Sequence, residues 1–291
     1  MKNITMVDRS KYLADKAVEA LMEEALLTPK PGLVDRRDTG SHSDMNLDLM
    51  LKSAASLQET FYKIGEAAWS EKPTQKLREK IARIGRKGEY DMLKETKGVN
   101  THKGAIWAIG LLTAASAIKG PEADAGSITD TAAQIARFDD RYAPVKETNG
   151  EKAIKKYQVR GAKGQAQQGF PHVIDIGLPA LLQYREAGHP EEQARLYSLI
   201  SMMAYLDDTC LLHRGGSQVL EQTKERCRKI LLAGGPASGQ GWRHLLQLNN
   251  YLIEENASPG GSADLLAAVL FIDSIQIRLS RYKTELQLQK L

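Results

Sequence analysis

Apolar residues return every three or four positions along almost the whole chain. Leu13, Ala17, Leu21 and Ala25 make one such series; Leu47, Leu51, Ala54, Phe61 and Ile64 a second; Leu77, Ile81 and Ile84 a third; Ile106, Ile109, Leu112 and Ala115 a fourth. Residues at this spacing share one side of an α-helix, whereas a half-buried strand alternates every second residue. Clean alternation is missing and valine is sparse. Further helices are predicted near 127–138, 173–186, 191–206, 216–232, 242–255 and 262–288, with Thr, Ser or Pro near several starts and Gly or Pro after several ends. The pattern predicts an all-α fold: a single multi-helix bundle of about ten helices over residues 1–291, with a site built from the loops between helices. One stretch resists the pattern. Residues 139–163 (DDRYAPVKETNGEKAIKKYQVRGAK) are charged and weakly periodic, which reads as a long excursion or mobile flap and not as a domain linker.

Composition narrows the function classes. A chain of 291 residues with 42% hydrophobic residues can bury a full core. Forty Lys and Arg against 36 Asp and Glu leave a net charge of +4, and no stretch is basic and aromatic enough for a nucleic-acid footprint, so no nucleic-acid partner is expected. The longest apolar runs, such as AIWAIGLLTAASAI, fall short of the roughly 20 residues that span a bilayer, so no membrane partner is expected either. The polar amino terminus lacks the apolar segment of a signal peptide, and Cys210 and Cys227 are too few for a disulfide scaffold. A reducing cytoplasm is the expected compartment.

Five Gly-, Pro- and charge-rich segments interrupt the helices and carry the candidate chemistry. In TPKPGLVDRRDTGSHSDM (28–45), Pro29 and Pro31 stop a helix and leave Lys30, Asp35, Arg36, Arg37, His42 and Asp44 on a tethered loop. In GVNTHKGA (98–105), Asn100 or Thr101 can cap a helix starting near Lys103, where free amides favour an anion; a plain N-cap beside an exposed lysine fits the same residues. GAKGQAQQGFP (161–171) is only loosely like a glycine-rich phosphate loop. DDTCLLHRGG (207–216) follows an apolar helix ending at Leu206, so Asp207 and Asp208 would oppose that helix's dipole, which suggests a cation such as Mg²⁺, with Arg214 gripping phosphate. The competing reading makes one Asp the cap of the next turn and pairs the other with Arg214. In SPGGSADL (258–265), Ser262 as N-cap and Asp264 in the first turn are explained by ordinary capping. No Cys/His spacing fits zinc, and no GxSxG, HExxH, GxGxxG or Walker A sequence occurs.

Taken in order, KPGLVDR, GSHSDM, GVNTHKG, GQAQQGFP, DDT, HRGG and SPGGSADLL resemble the triphosphoribosyl-dephospho-CoA synthase family, which serves citrate lyase and malonate decarboxylase; the likeness runs from Thr28 to Leu266. The resemblance implies transfer of the triphosphoribosyl group of ATP to the 2′-hydroxyl of 3′-dephospho-CoA, with release of adenine. It also implies Mg²⁺ with the ATP, and passage of the product to a separate enzyme that modifies an acyl carrier protein; a homodimer is allowed. Under this resemblance Asp35, Asp44 and Asp208 are expected to stabilise the sugar cation or act as base, and His102 or His213 to protonate adenine, with Asn100 as an alternative donor. Lys30, Arg36, Asn100, Lys103, Lys163, His213, Arg214, Gly215, Ser262 and Asp264 are expected to bind the substrate or its phosphates, and Asp207 and Asp208 the metal. Three positions depart from the family's usual pattern: Gln165 where Glu is expected, Lys163 where Arg is frequent, and Cys210 where Asn is usual. They leave two alternatives, a related transferase with another acceptor and a nucleotide-binding homologue without catalysis.

Overall fold

The computed structural model describes residues 5–144 and 147–288, with side chains of the last helix as far as Gln276. Among the described residues the regular structure is entirely helical. The α-helices are α1 (Met6–Leu26), α2 (Leu47–Ser56), α3 (Gln58–Ala68), α4 (Gln75–Glu95), α5 (Lys103–Lys119), α6 (Ala125–Arg137), α7 (Asn149–Tyr157), α8 (Gly161–Gln167), α9 (Leu178–Glu186), α10 (Glu191–Met203), α11 (Thr209–Leu232), α12 (Gly239–Glu254) and α13 (Gly260–Leu288). A π-helical turn, His172–Gly177, leads into α9, and a short 3-10 turn, Gly235–Ala237, leads into α12. No helix among the described residues is long and apolar enough to cross a membrane.

The apolar pattern explains which helix sits where. α5 is apolar nearly all round, so it can only lie inside; it is buried from Ala105 to Ala117 apart from Trp107 and is surrounded by α1, α3, α4, α6 and α13. The other helices are two-faced and lay their apolar stripes on this axis, giving one continuous core from Leu13 to Ile275. Thr5, Asn46, Thr74, Asp124, Thr148 and Ser238 cap helix starts with a side-chain oxygen on a backbone N–H, each contributing about 1 kcal/mol.

Three details differ from expectation. The apolar run from Leu47 to Ile64 divides at Leu57 into α2 and α3. The charged stretch 139–163 holds α7, which starts in a Thr148/Glu151 capping box and packs on α11 through buried Ala153, and the opening of α8. α11 starts seven residues before its expected first residue, because Gly216 (φ 75, ψ −173) interrupts the helix without ending it. Only glycine adopts that conformation freely, and the break re-aims the HRGG turn.

The amino ends of α5, α11 and α13 meet. A Cβ built on Gly104 would fall 1.9 Å from Asp264 Oδ2, one on Gly260 3.0 Å from Cys210 Sγ, and one on Gly261 3.0 Å from Asp208 Oδ1. Glycine at 104 is what lets the Asp264 carboxyl close on α5.

Candidate functional site

The site is assembled beneath the loop that follows α1. Asp35 is buried and accepts from the backbone N–H groups of Lys30 (2.9 Å) and Arg37 (2.7 Å), so its carboxylate staples the loop. Lys30 is thereby turned inward. It is 1% exposed, and its Nζ donates to Glu24 Oε1 at 2.5 Å. Glu24 stands two helical turns after Ala17, in register with the apolar face of α1, and is equally buried. None of the sequence motifs contains Glu24; the signal was a charged residue at an apolar position of a strongly periodic helix.

His102 is the residue before α5 and is 2% exposed. Its Nδ1 bonds Ser53 Oγ at 2.8 Å, and Ser53 Oγ also meets Thr101 Oγ1 at 2.5 Å. Its Nε2 is buried without a hydrogen-bond partner among the described residues. Burial, aided by the Lys30 ammonium, pushes the imidazole down to about 3, so the ring is neutral near pH 7.

Asp208 and Asp264 complete the group. Asp208 is the N-cap of α11: its Oδ1 accepts from the N–H of Cys210 (2.8 Å), Leu211 (3.4 Å) and Gly261 (3.2 Å), and its Oδ2 from the N–H (2.7 Å) and Oγ (2.9 Å) of Ser262. One carboxylate thus serves the amino ends of two helices, which their dipoles favour. Burial raises its pKa above the ordinary value while the donors pull it back. Asp264 accepts from the N–H of Ala105, and loss of water contact, then the Glu24 and Asp208 carboxylates, push it well above the carboxylate range. Burial and the same two aspartates raise the Cys210 thiol, whose Sγ lies against Gly260 although the residue as a whole is exposed.

Comparison with known proteins gives this arrangement a family. Residues 10–281 match the family described as ATP:dephospho-CoA triphosphoribosyl transferase (CitG). The chain belongs to the CitG family. It is 50% identical over 276 residues to a 2-(5″-triphosphoribosyl)-3′-dephosphocoenzyme-A synthase of Pseudomonas fluorescens (strain Pf0-1), covering 94% of each chain. It is 45% identical over 278 residues to the synthase of that name from Klebsiella pneumoniae, covering 94% of this chain and 99% of the relative. The fold is similar to a crystal structure of an Archaeoglobus fulgidus protein titled as a triphosphoribosyl-dephospho-CoA synthase, with a TM-score of 0.50 at 18% identity over 76% of this chain and 96% of that one.

In this CitG-family chain the motif residues separate into an interior group, a rim and an outer set. Lys30, His102, Asp208, Ser262 and Asp264 come together with Glu24. At the rim, Arg214 donates to the Ser41 carbonyl (2.9 Å) and to His42 Nδ1 (3.1 Å), while His42 Nε2 bonds Ser258 Oγ (2.9 Å). Asp44 is mostly exposed, 3.6 Å from His42 Nδ1. Asn100 Oδ1 accepts from the Lys103 N–H at 3.2 Å, and the Lys103 Nζ meets Glu89 at 3.0 Å. α7 adjoins this rim, since Lys103 helps lower the Glu151 carboxyl after its bonds to Thr148. His213 is exposed, and Gly215 lies against Val219. Farther out, Arg36 pairs with Glu192 (3.4 Å) and Lys163 with Asp139 (2.9 Å).

Three expectations need correcting. Asp207 and Asp208 do not end a helix against its dipole: α10 closes at Met203, and Asp208 begins α11. Nor does Asp207 pair with Arg214; it bonds Lys224 at 2.6 Å. The oxygens of Asp208 are filled by donors, whereas Asp207 is 53% exposed and meets Lys224 through Oδ1, and among the described residues no three His, Cys, Asp or Glu side chains gather as ligands. Ser262, expected as the N-cap, lies inside α13, which starts at Gly260, and gives both its N–H and its hydroxyl to Asp208. Gln165 hydrogen-bonds His172 Nδ1 at 3.1 Å, a contact its neutral amide can make.

Proposed function

We propose that the chain transfers the triphosphoribosyl group of ATP to the 2′-hydroxyl of 3′-dephospho-CoA and releases adenine. The observation that carries this reading is the meeting of three helix amino ends, from three of the family's motifs, around one group of ionisable side chains. Asp208, Asp264 and Asn100 already accept from the N–H groups of Cys210, Leu211, Gly261, Ser262, Ala105 and Lys103, so what these ends offer a triphosphate that must be held and not cleaved is their positive dipoles. Arg214 and Lys103 supply cationic groups at the rim. The carboxylates below face the positive charge that builds on the ribose as its bond to adenine stretches. Magnesium enters as the counter-ion of the substrate triphosphate, bound by phosphate oxygens and water. The reading also includes a cytoplasmic setting, a homodimer, and delivery of the product to a separate enzyme acting on an acyl carrier protein.

The test is direct. Purified protein with ATP, Mg²⁺ and 3′-dephospho-CoA is expected to release one adenine per acceptor consumed, followed by chromatography. Release of ADP or phosphate without adenine overturns the reading.

A further inference from the structure

Cleaving the bond between ribose and adenine is easier when the base takes a proton as it leaves. The residues first suited to supply it do not hold one in the right place. His102 is neutral near pH 7, and His213 lies on the exposed side of α11. Lys30 is sealed under the loop against Glu24.

The carboxyl groups offer another source. Glu24 has the Lys30 ammonium, and Asp208 has five N–H and O–H donors on its two oxygens. Asp264 has the Ala105 N–H and no cation, and it crowds Gly104. Asp264 feels the Glu24 and Asp208 carboxylates, a like-charge repulsion that a proton relieves, and the acid with the fewest donors is the one to hold it. Access points to the same residue. Glu24, Lys30, His102 and Asp208 are all buried, whereas Asp264 is half-buried as a residue, with its carboxyl turned inward onto Gly104. His102, the residue before the helix that Asp264 touches, has a buried Nε2 without a hydrogen-bond partner among the described residues, an unmet polar atom in the same interior group.

We propose that Asp264 is the acid that protonates adenine as the bond between C1′ and N9 of ATP breaks, a role that rests on the transfer proposed above. The bonding pair goes to the base and the Asp264 proton to a ring nitrogen, so adenine leaves neutral. The carboxylate that remains faces the cationic C1′. It then takes the proton of the acceptor 2′-hydroxyl as the new bond from that oxygen to C1′ forms. One proton leaves the acceptor, one leaves with adenine, and the protein regains its starting state. The groups acting on Asp264 set its readiness to give the proton: Glu24 from α1, the Ala105 N–H of α5, and Asp208 with the protonated Cys210 thiol at the start of α11; Lys30 is held by Glu24, and the neutral His102 precedes α5. Lys103 is turned onto Glu89.

The experiment compares wild type, Asp264→Asn and Asp264→Glu on two donors, ATP and 7-methyl-ATP, whose base departs neutral without taking a proton. With ATP, Asp264→Asn is expected to lower kcat by about 10²- to 10⁴-fold, the size of a lost general acid. With 7-methyl-ATP the loss shrinks below about tenfold, and Asp264→Glu recovers part of the ATP rate. Wild type is expected to lose kcat as the pH rises through the Asp264 titration, and Asp264→Asn to lack that alkaline fall. A variant that turns over ATP within a few-fold of wild type, loses rate equally on both donors, or keeps the alkaline fall overturns the proposal. Wild type that releases no adenine at all overturns the transfer itself.

Discussion

Two aspartates nine residues apart on α13 live in opposite surroundings. Asp273 receives a two-pronged bond from Arg185, Nη1 to Oδ1 at 2.9 Å and Nη2 to Oδ2 at 2.8 Å. Arg185 also holds Glu191 with two bonds of 2.7 Å, and Arg195 joins Glu191 (2.6 Å) to Glu23 (3.2 Å), beside a cavity of about 400 Å³. In that network every charge has a partner. The Glu191 carboxylate is stabilised first by Arg185, and Arg185 by Glu191. Asp264 has neighbours of its own sign and a single backbone donor. The same residue type on one helix is a tie in one place and a stored proton in the other, and what differs is the count of donors and cations.

Neutralising each aspartate in turn should separate the two settings most strongly. Asp264→Asn is expected to cut turnover by the two to four powers of ten given above while leaving the thermal midpoint at or above that of wild type. The sign follows from linkage. An acid whose folded pKa is raised keeps its proton when the unfolded chain has released it, so it costs stability as pH rises from about 4 toward neutrality, and the amide removes that cost. Breaking the other network should do the reverse. Arg185→Met leaves Asp273 buried without its cation and is expected to lower stability by about 2–3 kcal/mol, near the lower end for buried pairs because part of the arginine is exposed. Its kcat per folded molecule should stay within about twofold of wild type. Urea unfolding and initial rates on the same preparations decide both; equal behaviour of the two variants would erase the distinction.

His102 makes the buried group sensitive to acid. Its folded value lies near 3 against 6.5 in the unfolded chain, so above pH 6.5 it contributes nothing to the slope. Below that, the unfolded chain takes up a proton that the folded one refuses, and stability falls as the pH drops toward 3. One such group is worth up to about 1.4 kcal/mol per pH unit, or about 2 kcal/mol between pH 6.5 and 5. His102→Gln should therefore lose that much less stability than wild type over the interval. Parallel urea midpoints across the range would show that the buried imidazole is not the source.

How far the sequence reveals all this depends on which forces decide each residue. The all-α fold is legible because helical periodicity is repeated over many turns, and the apolar girth of α5 follows from AIWAIGLLTAASAI. The segments that hold the site are legible as punctuation. What the pattern does not carry is pairing across the fold. Asp208 reads equally as a residue ending one helix or starting the next, and only its meeting with Gly261 and Ser262, more than fifty residues on, decides it. Lys30 looks like a free phosphate ligand until Glu24 is found beneath it. Gly216 hides the first turn of α11 because a glycine that breaks a helix and one that precedes it look the same in a linear string.

The smallest effect is expected farthest from the buried group, at Lys163 and Asp139. Both side chains are more than half exposed, 57% and 79%, and pairs so well solvated gain little, since water already stabilises each charge. Asp139→Ala should leave the urea midpoint unchanged within error. Freed from its partner, Lys163 becomes available to a phosphate-bearing ligand in the neighbouring groove of about 440 Å³ lined by Arg160 and Gln167. If the lysine helps hold a substrate, Asp139→Ala should lower that substrate's KM by a few-fold and Lys163→Ala should raise it, both with kcat unchanged. If neither substitution moves KM, the phosphates are held by the rim and the helix amino ends alone, and the contrast between a reactive interior and an inert exterior becomes sharper.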